Sequence, residues 1–231
     1  NDYDGAGKSD LAVYNQSSGR WEILLSGSAY QSVGLDFGGN DFTPVLADYD
    51  GDGKSDPAIC RESDGLWQVM LSGSGYLTAS FRLGGRGYTP VAADFDADGK
   101  ADPAVYLEAS GLWQVMLSAS AYRLVGVELG SNGAGPAPAD YDGDGKADPA
   151  VYRRSTGDWS FMLSTFQYWV FGLQLGGAGQ APAPADYDGD GQCDPAVYRA
   201  SRGEWSVMMS LYDHLLAQAT QGGPGYVAVP A

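Results

Sequence analysis

The sequence predicts an all-β protein, a five-bladed β-propeller with four antiparallel strands per blade, on three observations. One acidic nine-residue loop recurs five times, beginning at Asp2, Asp48, Asp94, Asp140 and Asp186, at an unvarying spacing of 46 residues. Each loop runs into a short β-type segment with no helical period, such as Pro103-Ala104-Val105-Tyr106. A tryptophan then opens a second such segment in every copy, at Trp21, Trp67, Trp113, Trp159 and Trp205. A unit of four short strands recurring every roughly 40 to 50 residues is the mark of a propeller blade.

The elements of one repeat follow in order. A small-residue strand comes first, as in Pro136-Ala137-Pro138-Ala139 or Pro182-Ala183-Pro184-Ala185, and suits the crowded axis of a ring, where larger side chains do not fit. The acidic loop follows, then the Ala-Val-Tyr strand, present as Leu11-Ala12-Val13-Tyr14 in the first copy and Pro57-Ala58-Ile59-Cys60 in the second. A glycine-containing turn such as Ser155-Thr156-Gly157-Asp158 reverses the chain into the tryptophan strand, for example Trp67-Gln68-Val69-Met70-Leu71-Ser72. A variable outer strand ends at the glycines near Gly38, Gly84, Gly130, Gly176 and Gly222. Five repeats leave one residue over in 231, so a single domain over 1–231 is expected. Tyr226-Val227-Ala228-Val229-Pro230 is expected to complete the N-terminal blade and close the ring, leaving no unpaired strand edge at the seam.

The loops carry the chemistry. Four carboxylates crowd into the nine residues from Asp48 to Asp56, and their mutual repulsion holds such a loop open unless a cation is bound. The pattern follows the first nine positions of a calcium loop, with carboxylates at 1, 3, 5 and 9, glycine at 6 for the sharp turn and a backbone carbonyl at 7. The candidate ligands are Asp2, Asp4, Lys8 and Asp10; Asp48, Asp50, Asp52, Lys54 and Asp56; Asp94, Asp96, Asp98, Lys100 and Asp102; Asp140, Asp142, Asp144, Lys146 and Asp148; and Asp186, Asp188, Asp190, Gln192 and Asp194. Lys8, Lys54, Lys100, Lys146 and Gln192 serve by their carbonyls, their side chains being free to point into water. Up to five calcium ions are expected. Ala6 replaces the position-5 aspartate, which makes the first site the weakest. Position 12, where a helix-loop-helix site has a bidentate glutamate, holds Val13, Ile59, Val105, Val151 and Val197, which excludes an ordinary EF-hand. Loop into strand, rather than loop into helix, argues against a dockerin.

The motif Asp-Tyr-Asp-Gly-Asp-Gly-Lys-x-Asp-Pro-Ala-Val-Tyr resembles the FG-GAP, or VCBS, repeat of integrin-like propellers, and the resemblance covers essentially the whole chain. It implies calcium in the loop joining the first and second strands of each blade. It does not imply one function, since propellers of this type occur in adhesion receptors, lectins and appendages of bacterial surface enzymes.

Of the 29 acidic residues 19 lie in the loops, and five calcium ions would bring the formal charge of -16 to about -6. That leaves no electrostatic reason to expect nucleic acid as a partner. No apolar stretch reaches membrane-spanning length, so no membrane insertion is expected, and a secreted or cell-surface location fits weak calcium sites. Cys60 and Cys193 occupy unrelated repeat positions and are expected as free thiols.

His214, the single histidine, stands where the other repeats have Tyr30, Tyr76, Tyr122 and Tyr168, and reads as an aromatic substitute. With no nucleophile-base constellation and no phosphate-binding glycine loop, the chain reads as a non-enzyme. The recurrent tryptophans, together with Trp169, are candidate contacts for a sugar; packing between blades is the competing reading. Blade four loads its outer strand with aromatics at Phe166-Gln167-Tyr168-Trp169-Val170-Phe171, marking either a ligand site or burial against a neighbouring loop. Arg153, Arg154, Arg199 and Arg202 fall on the hairpins of blades four and five, as an anion-recognising cluster or as solvated charges. The expectation is a calcium-stabilised, non-catalytic extracellular binding or adhesion module with a glycan or protein ligand. A multivalent lectin, and a structural accessory domain of a larger secreted enzyme, are its alternatives.

Overall fold

A computed structural model describes residues 2–211, 214–226 and 228. Blade one contains β1 (Leu11–Asn15), β2 (Arg20–Leu25) and β3 (Gln31–Asp36); blade two contains β4 (Phe42–Pro44), β5 (Ala58–Arg61), β6 (Leu66–Leu71) and β7 (Leu77–Arg82). Blade three is β8 (Tyr88–Ala93), β9 (Asp102–Leu107), β10 (Leu112–Leu117) and β11 (Arg123–Glu128). Blade four is β12 (Ala134–Pro136), β13 (Ala150–Arg153), β14 (Asp158–Leu163) and β15 (Trp169–Gln174), and blade five is β16 (Ala181–Pro182), β17 (Ala196–Arg199), β18 (Glu204–Met209) and β19 (Leu215–Thr220).

In each blade the strands lie side by side in chain order, and the fold is the five-bladed propeller expected. Blade one shows three strands among the described residues. Its expected fourth strand falls on Tyr226 to Pro230, of which Val227, Val229 and Pro230 lie outside the described residues, and closure by that strand lies outside them too. Backbone packing groups the chain into two units, Asn1–Tyr106 with Gln114–Val125 and Leu107–Trp113 with Gly126–Ala231. Among the described residues no helix is long and apolar enough to cross a membrane.

The period of two in the tryptophan strands decides which face is buried. In β6 Trp67 and Val69 are buried while Leu66, Gln68 and Met70 are half-exposed. Trp67 lies opposite Cys60 on β5 and Phe81 on β7, and packs with Val45, Leu83 and, from blade three, Val105. In the second unit Trp159 repeats the arrangement against Tyr152, Phe161, Leu175 and, from blade five, Val197. The indole Nε1 donates to the carbonyl of Phe37, Leu83 or Leu175 at 2.9, 3.2 and 3.3 Å, so the polar end of a buried ring is satisfied.

Glycine turns hold the outer strand in place. In blades one, four and five the tyrosine hydroxyl after the Ala-Val pair accepts from the second glycine of the following turn, Gly39 to Tyr14 at 2.8 Å, Gly177 to Tyr152 at 3.0 Å and Gly223 to Tyr198 at 3.2 Å. Cys60 replaces that tyrosine in blade two, so its turn lacks this lock. Gly157 has φ +83°, and a Cβ there would stand 2.5 Å from the Gly176 carbonyl oxygen. Only a residue without a side chain lets the hairpin and the glycine turn approach so closely.

Candidate metal centre

Three aspartates in each loop converge. Asp2, Asp4 and Asp10 offer one carboxylate oxygen each, all within 4.8 Å of one another, and so do Asp48, Asp50 and Asp56; Asp94, Asp96 and Asp102; Asp140, Asp142 and Asp148; and Asp186, Asp188 and Asp194. These are positions 1, 3 and 9. Acidic groups of this kind could hold a metal ion.

Local hydrogen bonds explain why the loop folds around that point. The position-1 carboxylate gathers the turn by accepting two backbone amides: Asp48 takes Gly51 at 2.7 Å and Gly53 at 2.8 Å, and Asp140 takes Gly143 at 2.6 Å and Gly145 at 2.8 Å. The position-9 carboxylate is buried and bridges two segments. Asp56 accepts from the amide of Tyr49 at 2.9 Å and, across the blade, from that of Ser72 at 2.7 Å, and Asp148 accepts from Tyr141 at 3.0 Å and Ser164 at 2.7 Å. The position-3 carboxylate takes the next amide, Gly73 to Asp50 at 2.9 Å and Thr165 to Asp142 at 3.0 Å.

The acidic loop is thereby sewn to the 3₁₀ turn that links the tryptophan strand to the outer strand, Ser72–Ser74 in blade two and Ser164–Phe166 in blade four. Sequence reasoning missed these serines. The signal was present: Ser26, Ser72, Ser118, Ser164 and Ser210 recur in the same register, 16 residues after each position-9 aspartate.

Position 5 behaves differently from the expectation that it joins positions 1, 3 and 9. Asp52 accepts from the Lys54 amide at 2.9 Å and from the Ser72 hydroxyl at 3.0 Å, and Asp98 accepts from Lys100 and Ser118, both at 2.9 Å. Asp144 likewise takes Lys146 and Ser164, and Asp190 takes Gln192 and Ser210. Position 5 is absent from the converging groups, and its two oxygens are hydrogen-bonded to the loop and to the turn serine. In the first loop, where Ala6 supplies no carboxylate, the Ser26 hydroxyl donates instead to the Lys8 carbonyl at 3.3 Å.

The electrostatics fit a cation. Asp96, Asp142 and Asp188 each bury an Oδ1 with no hydrogen-bond partner, which leaves a desolvated acceptor facing the carboxylate group. Burial pushes the carboxyls of Asp56 and Asp102 above the usual range against the amide bonds that favour the anion, and the nearby Asp50 and Asp96 add to the rise. Asp148 is pushed up to about 7, mostly by burial, with the charges of Asp142 and Asp140 adding to it. Asp10 moves the other way, since the amides of Ser26 and Tyr3 outweigh its burial. Unbalanced negative charge with an orphaned oxygen is what a hard cation relieves.

The other sequence candidates separate clearly. Trp21, Trp67, Trp113 and Trp159 are at most 1% exposed, so their proposed role as sugar contacts is corrected: their faces are covered in the blade core. Trp205 is only half-buried because Ala219 lies opposite it, where Leu35, Phe81 and Leu173 lie opposite Trp21, Trp67 and Trp159. Trp169 is 71% exposed, and among the described residues no loop covers the aromatic strand of blade four. Arg153 donates to the Asn132 carbonyl and the Ser131 hydroxyl in the turn before β12, and Arg199 and Arg202 face Glu204 in their own hairpin, so three of the four arginines are held within the fold. Both cysteines are free.

No family model matches the chain, and no curated protein matches it. Among solved structures it is similar to a streptogramin B lyase, with a TM-score of 0.63 and 9% identity over 94% of this chain and 66% of that one. A virginiamycin B lyase from Staphylococcus aureus gives a TM-score of 0.63 and 6% identity, over 93% of this chain and 67% of that one. A catalytically inactive form of the Staphylococcus aureus enzyme with quinupristin gives 0.61 and 6%, over 94% and 74%.

The chain thus spans about two thirds of the length of the first two. Such low identity shows the propeller fold. These neighbours also overturn the expectation of a non-catalytic adhesion or binding module, and with it the lectin and accessory-domain alternatives. They are enzymes, so the lack of a recognisable catalytic constellation in the sequence does not make a fold of this kind non-catalytic.

Proposed function

We propose that the chain is a cation-binding propeller of FG-GAP/VCBS type, in which each acidic loop holds one calcium ion and the ion fastens that loop to the turn between the tryptophan strand and the outer strand. The observation that carries this reading is the convergence of carboxylates 1, 3 and 9 in all five loops, with a buried, unpartnered Oδ1 on Asp96, Asp142 and Asp188. Calcium takes about six to eight oxygens in a flexible shell, and three carboxylates with the position-7 carbonyl supply at least four. Magnesium demands a tighter octahedron and suits such a loop less well.

Elemental analysis after exhaustive dialysis against chelator and back into calcium tests the proposal. Up to five ions per chain are expected. At a hundredfold excess over Kd one site adds about 2.7 kcal/mol, and 1 kcal/mol moves the Tm of a chain this size by roughly 2–4 °C. Chelation therefore lowers Tm by at least about 5 °C, and calcium restores it while magnesium does not. A chain that retains no metal and melts identically with and without chelator would overturn the reading.

A further inference from the structure

We propose that the cleft between blades four and five is a binding site for a small, uncharged molecule of one or two rings. The cleft has a volume of about 290 Å³. Blade four lines it with Phe161, Leu163, Phe171 and Leu173, and blade five with Pro195 and Met208. Cys193 and His214 stand at its polar side.

The chain supplies its own reference. The cleft between blades one and two is built from the same repeat positions, with Ile23, Leu25, Val33 and Leu35 facing Pro57, Met70 and Tyr76. Against that background, four departures of blades four and five from the repeat line this cleft. Phe161 stands where the other copies have Ile23, Val69, Val115 and Val207; Phe171 stands where they have Val33, Ala79, Val125 and Ala217. Cys193 replaces a serine or alanine, and His214 replaces a tyrosine found in all four other copies. Four substitutions distant in sequence thus line one cavity.

The chemistry of the walls selects the ligand. Phe161 is buried, stacked on Trp159 at 5.8 Å and edge-on to Tyr141 at 4.6 Å, so it offers a fixed aromatic wall. Phe171 is 39% exposed and forms the mouth. Asp4 and Lys54 line the cleft between blades one and two, but no Asp, Glu, Lys or Arg is among the described residues lining this one, which disfavours a charged ligand. The Ser210 hydroxyl is already committed to Asp190 and Asp194, which leaves the His214 imidazole to meet a single polar group on the ligand. A dry cavity of about 150 Å³ accepts benzene, so the volume here suits two fused rings. This site uses none of the converging carboxylates and stands independently of the cation reading.

The test titrates the full chain, labelled with ¹³C in its methionine methyls, with 2-naphthol, an uncharged two-ring probe with one hydroxyl. The Met208 methyl is expected to shift saturably, more strongly than Met70 in the reference cleft. The variant F161V/F171V/H214Y places at each position a residue that sibling blades carry, and is expected to bind at least tenfold more weakly at a temperature where both chains are folded, with unchanged metal content. Trp169→Ala, outside the cleft, is expected to leave binding unchanged. A Met208 signal unmoved up to the solubility of the probe, or equal affinity in the triple variant, would overturn the proposal.

Discussion

Asp148 shows how one residue couples the loop to its surroundings. Its carboxyl is held near 7 in the folded chain, against about 3.9 in an unfolded one. The folded state therefore keeps a proton that the unfolded state has released, and stability from that proton is full below about pH 4 and is lost as pH rises through about 7. Denaturant melts of the calcium-free protein are expected to show this decline, and Asp148→Asn to flatten it. With calcium bound the charge is neutralised, and the trend should disappear. The contrast between positions 3 and 5 gives a second test at this scale. Asp142 belongs to the converging group and has an unpartnered Oδ1, whereas both oxygens of Asp144 are hydrogen-bonded to Lys146 and Ser164. Asp142→Ala should weaken calcium binding at that loop by at least about tenfold, roughly 1.4 kcal/mol, and Asp144→Ala by distinctly less. Calorimetric titration giving the reverse order would show that the tether swings inward to bind the ion.

Within a blade, stability rests on the close approach of turns to one another and on the tryptophan between strands. Gly157 lies at φ +83° with the Gly176 carbonyl where its Cβ would be. Gly157→Ala therefore meets both backbone strain and a backbone clash, and should destabilise the fold by about 1–3 kcal/mol, read as a lower urea midpoint at unchanged slope. Gly179, also at positive φ, faces open space where a Cβ would stand, with no heavy atom within 4 Å. Alanine there should cost less than at Gly157, since only the strain remains. The serine of the 3₁₀ turn plays a different part, because its backbone amide holds the position-9 carboxylate and its hydroxyl holds the position-5 carboxylate. Removing only the hydroxyl, as in Ser72→Ala, should loosen the tether while leaving the Asp56 bond intact.

Across the whole molecule the dominant number is the formal charge of -16, concentrated in the loops. A calcium-free chain repels itself, and salt screens that repulsion with a Debye length that falls to roughly 3 Å at 1 M. Raising NaCl from about 0.05 to about 1 M should therefore raise the Tm of the calcium-free protein clearly and that of the loaded protein only slightly. Equal salt dependence in the two forms would mean that the loops are neutralised in some other way. The exposed aromatic strand of blade four, with Trp169 outermost, adds apolar surface at a sheet edge.

The repeat itself was legible in the chain because it rests on local rules: glycine where φ is positive, alternating burial in a strand, and an acidic loop whose spacing survives in five copies. The strand order, the buried tryptophan and the carboxylates at positions 1, 3 and 9 all follow from that register. Sequence could not distinguish position 5 from its neighbours, since an aspartate that converges with the other carboxylates and one that grips a serine are the same letter. What separates them is Ser72 or Ser164, 20 residues away and brought alongside by the hairpin. Exposure was equally hidden: Trp67 and Trp205 share a repeat position, yet Phe81 covers one while Ala219 leaves the other half-open. Blades and acidic loops could be read directly from the order of residues, because both are written in short-range spacing. Which carboxylates meet, which aromatics are covered, and that Phe161, Phe171, Cys193 and His214 line one cleft emerge only in the folded chain, because those facts depend on packing between strands and blades far apart in sequence.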